Sequence, residues 1–188
     1  MPDELEFETI AARHLPELAA ALCHDDVYRF IGGRAPPFAR VLLGLQRAIA
    51  GPPAGRERER WHNYLVRLRG TGEIIGRVQA TELCGNAEVA FLLTPRCWGR
   101  GYARQGLLWL QGRLLAQAPQ TRFFATTLPD NSRSRALLRR CGYIEIEPAL
   151  APHLLSYAPG DLVYVLQAPV DPQGASPGGT SRDTQSTS

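Results

Sequence analysis

The sequence predicts an α/β (α+β) fold, a mixed sheet with helices on its faces, and three observations predict it. Helical spacing of apolar residues dominates the first 50 residues and gives way to strand-like alternation from Trp61. Turn signals at Gly70-Thr71-Gly72 and Cys84-Gly85-Asn86 cut that alternating region into an antiparallel meander. Beyond Gly101 helical and strand patterns alternate, which places helices against a sheet. The order β-α-α-β-β-β-α-β-α-β-β implies about seven strands and about four helices.

Residues 5–10 alternate Leu5, Phe7 and Thr9 with Glu6 and Glu8, as a half-buried strand does. Leu15, Leu18, Ala19 and Leu22 then recur at helical spacing. Pro36-Pro37 opens a second helix with Phe38, Val41, Leu42, Leu45 and Ile49 on one face, and Gly51-Pro52-Pro53 stops it. Strands follow at 61–69, 73–82 and 88–93. A helix at 102–117 turns Leu107, Leu108, Leu110, Leu114 and Leu115 inward, and Pro119 ends it. A strand at 122–127, a helix at 131–141 closed by Gly142, and strands at 143–147 and 161–167 complete the pattern. Residues 1–170 form the expected domain. From Asp171 to Ser188 Pro, Gly, Ser, Thr and Gln dominate, a composition expected to remain disordered.

Composition removes several function classes. The formal charge of +3 is too small to argue for nucleic acid. All 21 basic residues are Arg, so no Lys serves as Schiff base, phosphate ligand or general base. Cys23, Cys84, Cys97 and Cys141 lie far apart, with no C-x-x-C pair and no His at metal-ligand spacing, so no metal is expected and the thiols read as reduced. The acidic start and the lack of a long apolar run give neither a signal peptide nor a membrane span. A soluble, cytoplasmic protein is expected, as a monomer or homodimer.

The chemistry gathers around Arg96-Cys97-Trp98-Gly99-Arg100-Gly101. An apolar strand ends at Pro95, a loop with two glycines follows, and a long helix opens after it. Glycines let backbone N–H groups turn inward, and a helix N-terminus adds unsatisfied donors and a positive dipole end. Arg96, Arg100 and Arg104 add charge. The ligand is a pyrophosphate or a comparable multiply charged group. Arg104 stands where a dinucleotide fingerprint needs its third Gly, and the Walker pattern needs a Lys that the chain lacks.

The surviving pattern, Arg-x-x-Gly-x-Gly on a strand-loop-helix followed by Tyr102-Ala103, resembles the pyrophosphate loop of the GCN5-related N-acetyltransferases (GNAT). A second stretch, from Thr126 through Asn131-Ser132-Arg133-Ser134 to Gly142-Tyr143, resembles that family's strand-Asn-x-x-Ser-helix-Gly-aromatic segment. Ala87-Glu88-Val89-Ala90-Phe91 is similar to the corresponding strand of the bacterial ribosomal-protein N-terminal acetyltransferase branch. The resemblance implies a GNAT-type, mostly antiparallel sheet and acetyl-CoA as acyl donor. It implies that the backbone at Phe91, Leu92 and Leu93 binds the pantetheine arm like an extra strand. Amides from Trp98 to Ala103 would cradle the pyrophosphate, Asn131 would reach the pantetheine, and Ser134 would face the thioester sulfur or the cofactor. On its own residues, Asn131 is equally a helix N-cap.

Transfer to an amine needs proximity, a proton acceptor and stabilisation of the leaving thiolate. Glu88 is the first candidate base, acting directly or through water, and Glu82 the second. Many family members carry a Tyr seven residues after the Asn to protonate the thiolate, and Leu138 stands at that place here. The resemblance to the ribosomal-protein branch implies Ser134 as the substitute acid, the alternative being that the thiolate takes its proton from water. The resemblance implies a primary amine as acceptor, of a small molecule or a protein N-terminus, with segments 27–50, 56–61 and 148–160 on the acceptor side. Leu138 also keeps open a catalytically impaired acyl-CoA-binding sensor or partner module.

Overall fold

Alternation along the strands decides which residues the sheet buries. The computed structural model describes residues 4–167, so the expected tail from Asp171 to Ser188 lies outside the described residues. The strands are β1 (Leu5–Thr9), β2 (Arg60–Leu68), β3 (Ile74–Leu83), β4 (Asn86–Leu93), β5 (Arg122–Thr127), β6 (Tyr143–Ile146) and β7 (Leu162–Leu166). The helices are α1 (Leu15–Leu22), α2 (Asp25–Tyr28), α3 (Phe38–Ala50), α4 (Tyr102–Leu115) and α5 (Ser132–Arg140). The seven strands form one sheet in the order β1-β2-β3-β4-β5-β7-β6, antiparallel except where β4 runs beside β5. This is the mixed, mostly antiparallel sheet that the sequence predicts.

Each face has its own core. Val66, Val78, Ala80, Val89 and Leu93 pack with Leu107, Leu110 and Leu114 of α4 and Leu138 of α5. On the other face Leu65 and Ile74 meet Leu15, Leu18 and Leu22 of α1 and Val41 and Leu45 of α3. A smaller cluster of Phe124, Leu154 and Val163 tucks the 147–161 segment against the C-terminal strands.

The departures from the sequence reading have local causes. The fifth helix, α2, is a single turn, too short to show a period, and begins where His24 Nδ1 accepts the Asp26 amide at 3.2 Å. Phe38 and Leu108, read as inward-facing, are 44% and 38% exposed. Phe38 is the first residue of α3, beyond the part of the helix that covers the sheet. The inward stripe of α4 runs through Leu107, Leu110, Gln111 and Leu114, which turns Leu108 outward.

One buried polar group makes stability depend on pH. His14 is 5% exposed, its Nδ1 accepts the Ala11 amide at 3.1 Å, and its Nε2 lies 3.6 Å from Glu8. Burial first, then the charge of Arg13, pushes its pKa down against the pull of Glu8. Protonation would also break the bond from Ala11. A depressed pKa means that the unfolded chain binds the proton first, so stability is full above the ordinary histidine value and falls as pH drops below it. Thermal unfolding followed from pH 7.5 down to 5.5 is expected to show a falling Tm, and a His14→Gln variant a flatter profile. The lowered pKa of Glu8, set first by its hydrogen bond from Arg67, acts in the same direction only below the carboxylate range.

Candidate active site

The parallel pair β4–β5 opens the sheet. Their register runs Asn86↔Arg122, Ala87↔Phe123 and Glu88↔Phe124 and then stops, although β4 continues to Leu93 and β5 to Thr127. From Val89 onward one edge of β4 has no strand beside it. Both strands feed helices, β4 through residues 94–101 into α4 and β5 through 128–131 into α5. A crevice therefore forms at their carboxyl ends, flanked by two helix N-termini.

Residues of the loop after β4 close back on the strand. Trp98 Nε1 donates to the Leu93 carbonyl at 2.8 Å, and the Arg133 guanidinium lies 4.7 Å from the Trp98 ring centre. That stacking ties the first turn of α5 to the loop. Gly99 and Gly101 are left-handed, with φ of +77° and +81°, and open space lies where a Cβ would stand. Gly101 is also the N-cap of α4, and no side chain caps that helix. The Ala103 and Arg104 amides of the first turn are therefore available to an anion.

The other proposed cofactor residues divide. Phe91 packs toward the α4 core and Leu92 toward the α1 core, while Leu93 is buried. Arg100 and Arg104 are exposed at the α4 N-terminus, and Ala103 is half-buried against the core. Tyr102 is buried. Arg96 leaves the loop in the opposite direction and pairs with Glu73, beside α1. Asn131 is the N-cap of α5, its Oδ1 accepting the Ser134 amide at 3.2 Å, which leaves its NH2 group for a ligand. Ser134 is half-buried on the first turn. Leu138 is fully buried in the main core, which explains an apolar residue there.

On the α3 side of the sheet a cleft of about 350 Å³ lies beside the crevice. Its floor follows from the register. Trp61, Thr81 and Glu88 stand side by side across β2, β3 and β4, then Asn63, Gln79 and Ala90, then Leu65, Arg77 and Leu92. Gly44, Arg47 and Ala48 of α3 form one wall, and Leu155 and Ser156 another. All three segments that the sequence assigned to the acceptor side contribute.

Glu88 is on this floor, but its carboxylate is engaged. The Leu155 amide donates at 2.7 Å and the Ser156 amide at 3.0 Å, and the Ser156 hydroxyl donates as well. Thr126 of β5 lies 2.6 Å from that hydroxyl, so Glu88, Ser156 and Thr126 bridge the crevice where the strands part. Glu82 emerges on the opposite face, where its carboxylate is 3.2 Å from His62 Nε2. The two acids therefore do not share a site. Sequence reasoning missed Ser156 and Thr126, which lie 68 and 38 residues from Glu88 and meet it only through the fold, and it missed Arg77.

No cysteine lines the cleft. Among the described residues no group of three or more His, Cys, Asp or Glu could hold a metal ion, and no helix is long and apolar enough to cross a membrane.

Comparison with known proteins agrees with this arrangement. Residues 4–144 match the model of the acetyltransferase (GNAT) domain. No curated protein matches the chain in sequence. Among solved structures it is similar to an acetyltransferase from Agrobacterium tumefaciens, at 22% identity and a TM-score of 0.68, over 89% of this chain and 94% of the other. It is also similar to a Salmonella typhimurium acetyl transferase that modifies the N-terminal serine of ribosomal protein L7/L12, at 18% identity and a TM-score of 0.67, over 86% and 93%. A third is RimL, a ribosomal L7/L12 α-N-protein acetyltransferase, in complex with coenzyme A, at 18% identity and a TM-score of 0.66, over 86% and 92%. With the family model covering most of its length, and a sheet that opens between β4 and β5 above an uncapped helix, the chain belongs to the GNAT acetyltransferase family.

Proposed function

We propose that the protein transfers an acetyl group from acetyl-CoA to a primary amine, of a small molecule or a protein N-terminus, by direct attack while both are bound. The observation that carries this reading is the parting of β4 and β5 after Glu88 and Phe124, with the glycine loop at the crevice's helical end and the cleft at its other side. The residues present fit coenzyme A. Gly99 and Gly101 leave room for a pyrophosphate against the backbone, and α4 offers uncapped amides. The unpaired edge of β4, toward which Phe91 and Leu93 turn their backbone groups while those of Leu92 face Arg77 of β3, suits an extended pantetheine arm, and the Asn131 NH2 suits one of its carbonyls.

When bound, the thioester supplies the activated acetyl group. The chain's own part is to align the amine with it and to manage protons. Holding the two in one crevice supplies proximity. Glu88 accepts the amine proton, directly or through water, and its hydrogen bonds from Leu155 and Ser156 fix its orientation. A carboxylate has about four lone-pair directions, and three are used here, so one remains for the proton. Ser134, on the first turn of α5, is the proton donor toward the thiolate, in the role that Leu138 cannot fill. With no cysteine in the cleft, an acyl-thiol route has no nucleophile there.

Turnover of acetyl-CoA on a panel of amines and N-terminal peptides tests the reading. Glu88→Gln is expected to lower kcat/KM by about 10²–10⁴-fold, the range of general base catalysis, and to leave acetyl-CoA affinity within a factor of about two. Unchanged turnover in this variant would remove Glu88 from the base role. The three donors on Glu88 and the buried Leu138 also favour a second reading, an acyl-CoA-binding sensor or partner module. Tight acetyl-CoA binding without turnover on any acceptor would select it.

A further inference from the structure

The cleft carries a charge that the acetyl-transfer reading does not use. Its charged lining residues are Arg47, Arg56, Arg77 and Glu88. Arg56 is neutralised by Glu59 and lies over the Trp61 ring. Glu88 is satisfied by Leu155 and Ser156. Arg47 is exposed on α3, and Arg77 rises from the floor between Leu65 and Leu92. Among the described residues neither Arg47 nor Arg77 has an ion-pair partner.

Arg77 is the unusual one. Its Nε is shielded from solvent and has no hydrogen-bond partner, and the half-buried residue lines the cleft. Burial pushes its pKa down, and the one group that counters this is the half-buried Tyr28 phenol. A guanidinium stays charged at neutral pH, so the fold keeps a poorly solvated cation with no carboxylate beside it. Its cross-strand neighbours Leu65 and Leu92 are apolar, so the core gives no reason for a charge at this place. An incoming anion would supply the missing partner, and guanidinium binds carboxylates in a matched, two-bond geometry.

We propose that the amine acceptor also carries a carboxylate, as an amino acid does, and that Arg77 anchors this carboxylate with Arg47 adding to the attraction. The inference rests on the acetyl-transfer reading and specifies its substrate. A cleft of about 350 Å³ is at the small end of ligand sites and suits a molecule of that size. The amine would then extend along the floor toward Glu88, past Gln79 and Ala90, two residues along β4 from Leu92. Polycationic acceptors are disfavoured by the same arginines.

Binding of acetylated products tests this without requiring turnover. Calorimetric titrations, with coenzyme A present, compare N-acetylglycine, N-acetylalanine and N-acetylphenylalanine with their primary amides. Each carboxylate is expected to bind roughly tenfold or more tightly than its amide. Arg77→Met should erase that difference and leave the coenzyme A dissociation constant unchanged. Arg47→Gln, at an exposed position that does not threaten folding, should narrow the difference severalfold. Equal binding of carboxylate and amide, no binding of any carboxylate in the millimolar range, or a preference that survives in folded Arg77→Met would overturn the proposal. If Arg77→Met does not fold, the paired titrations of the wild-type protein and of Arg47→Gln decide it. Absence of turnover on every amine would instead count against the acetyl-transfer reading, and the carboxylate preference would still be read from the same titrations.

Discussion

Replacing Gly101 with valine is expected to weaken acetyl-CoA binding by about ten- to a hundred-fold, the equivalent of one or two hydrogen bonds to a charged group. Gly101 is at φ +81° and ψ 0°, where a β-branched residue is strained by about 1–2 kcal/mol. Strain alone would lower stability without touching affinity. The larger effect comes from the open space beside its α-carbon, where a side chain would occupy the place of the ligand. Gly101→Asn separates the two contributions, because asparagine tolerates the left-handed region. This variant is expected to lose less Tm than Gly101→Val and still lose affinity. Calorimetry with acetyl-CoA and a melting curve for each variant provide the check, and full affinity in both would show that the loop does not contact the cofactor.

Replacing Gly76 with alanine is expected to be the most damaging single-methyl change in the sheet. A Cβ there would lie 2.1 Å from the Leu92 carbonyl oxygen, 2.6 Å from Leu93 Cδ2 and 2.8 Å from Leu93 Cα. Two of these neighbours are backbone atoms, so no rotamer change relieves the contact. Overpacking of a core commonly costs about 1–3 kcal/mol, and a clash against backbone belongs at or above the top of that range. A typical domain has only about 5–15 kcal/mol to lose. The strand that must move is β4, at the residues facing the crevice, so acetyl-CoA affinity should fall with stability. Urea unfolding measures the first and calorimetry the second. A loss below about 1 kcal/mol would mean that β3 and β4 separate easily at this point.

Much of the fold was legible because its signals are local. The meander from Trp61 to Leu93 follows from alternation and two turns, and the helix from Tyr102 follows from the loop that opens it. The short α2 lacked the length for a period. The position of β7 between β5 and β6 depends on how the 147–161 segment packs on Phe124, a contact that no local pattern encodes. The site divides in the same way. Gly99, Gly101 and Asn131 carry turn and cap signatures that can be read in place. Arg77 looks like any strand arginine until the register sets it beside Leu65 and Leu92, and Ser156 is unremarkable until it meets Glu88. The direction of Arg96, away from the cradle and onto Glu73, likewise depends on where α1 lies.

The central claim is that acetyl-CoA lies in the crevice between β4 and β5, against the amides that open α4. Amide hydrogen exchange with and without acetyl-CoA tests it most directly. Protection is predicted to rise at the amides of residues 98–104 and along the unpaired edge of β4 at 89–93, with little change in β1, β2 or α3. Protection confined to other segments, or an exchange pattern unaltered by saturating acetyl-CoA, would contradict it.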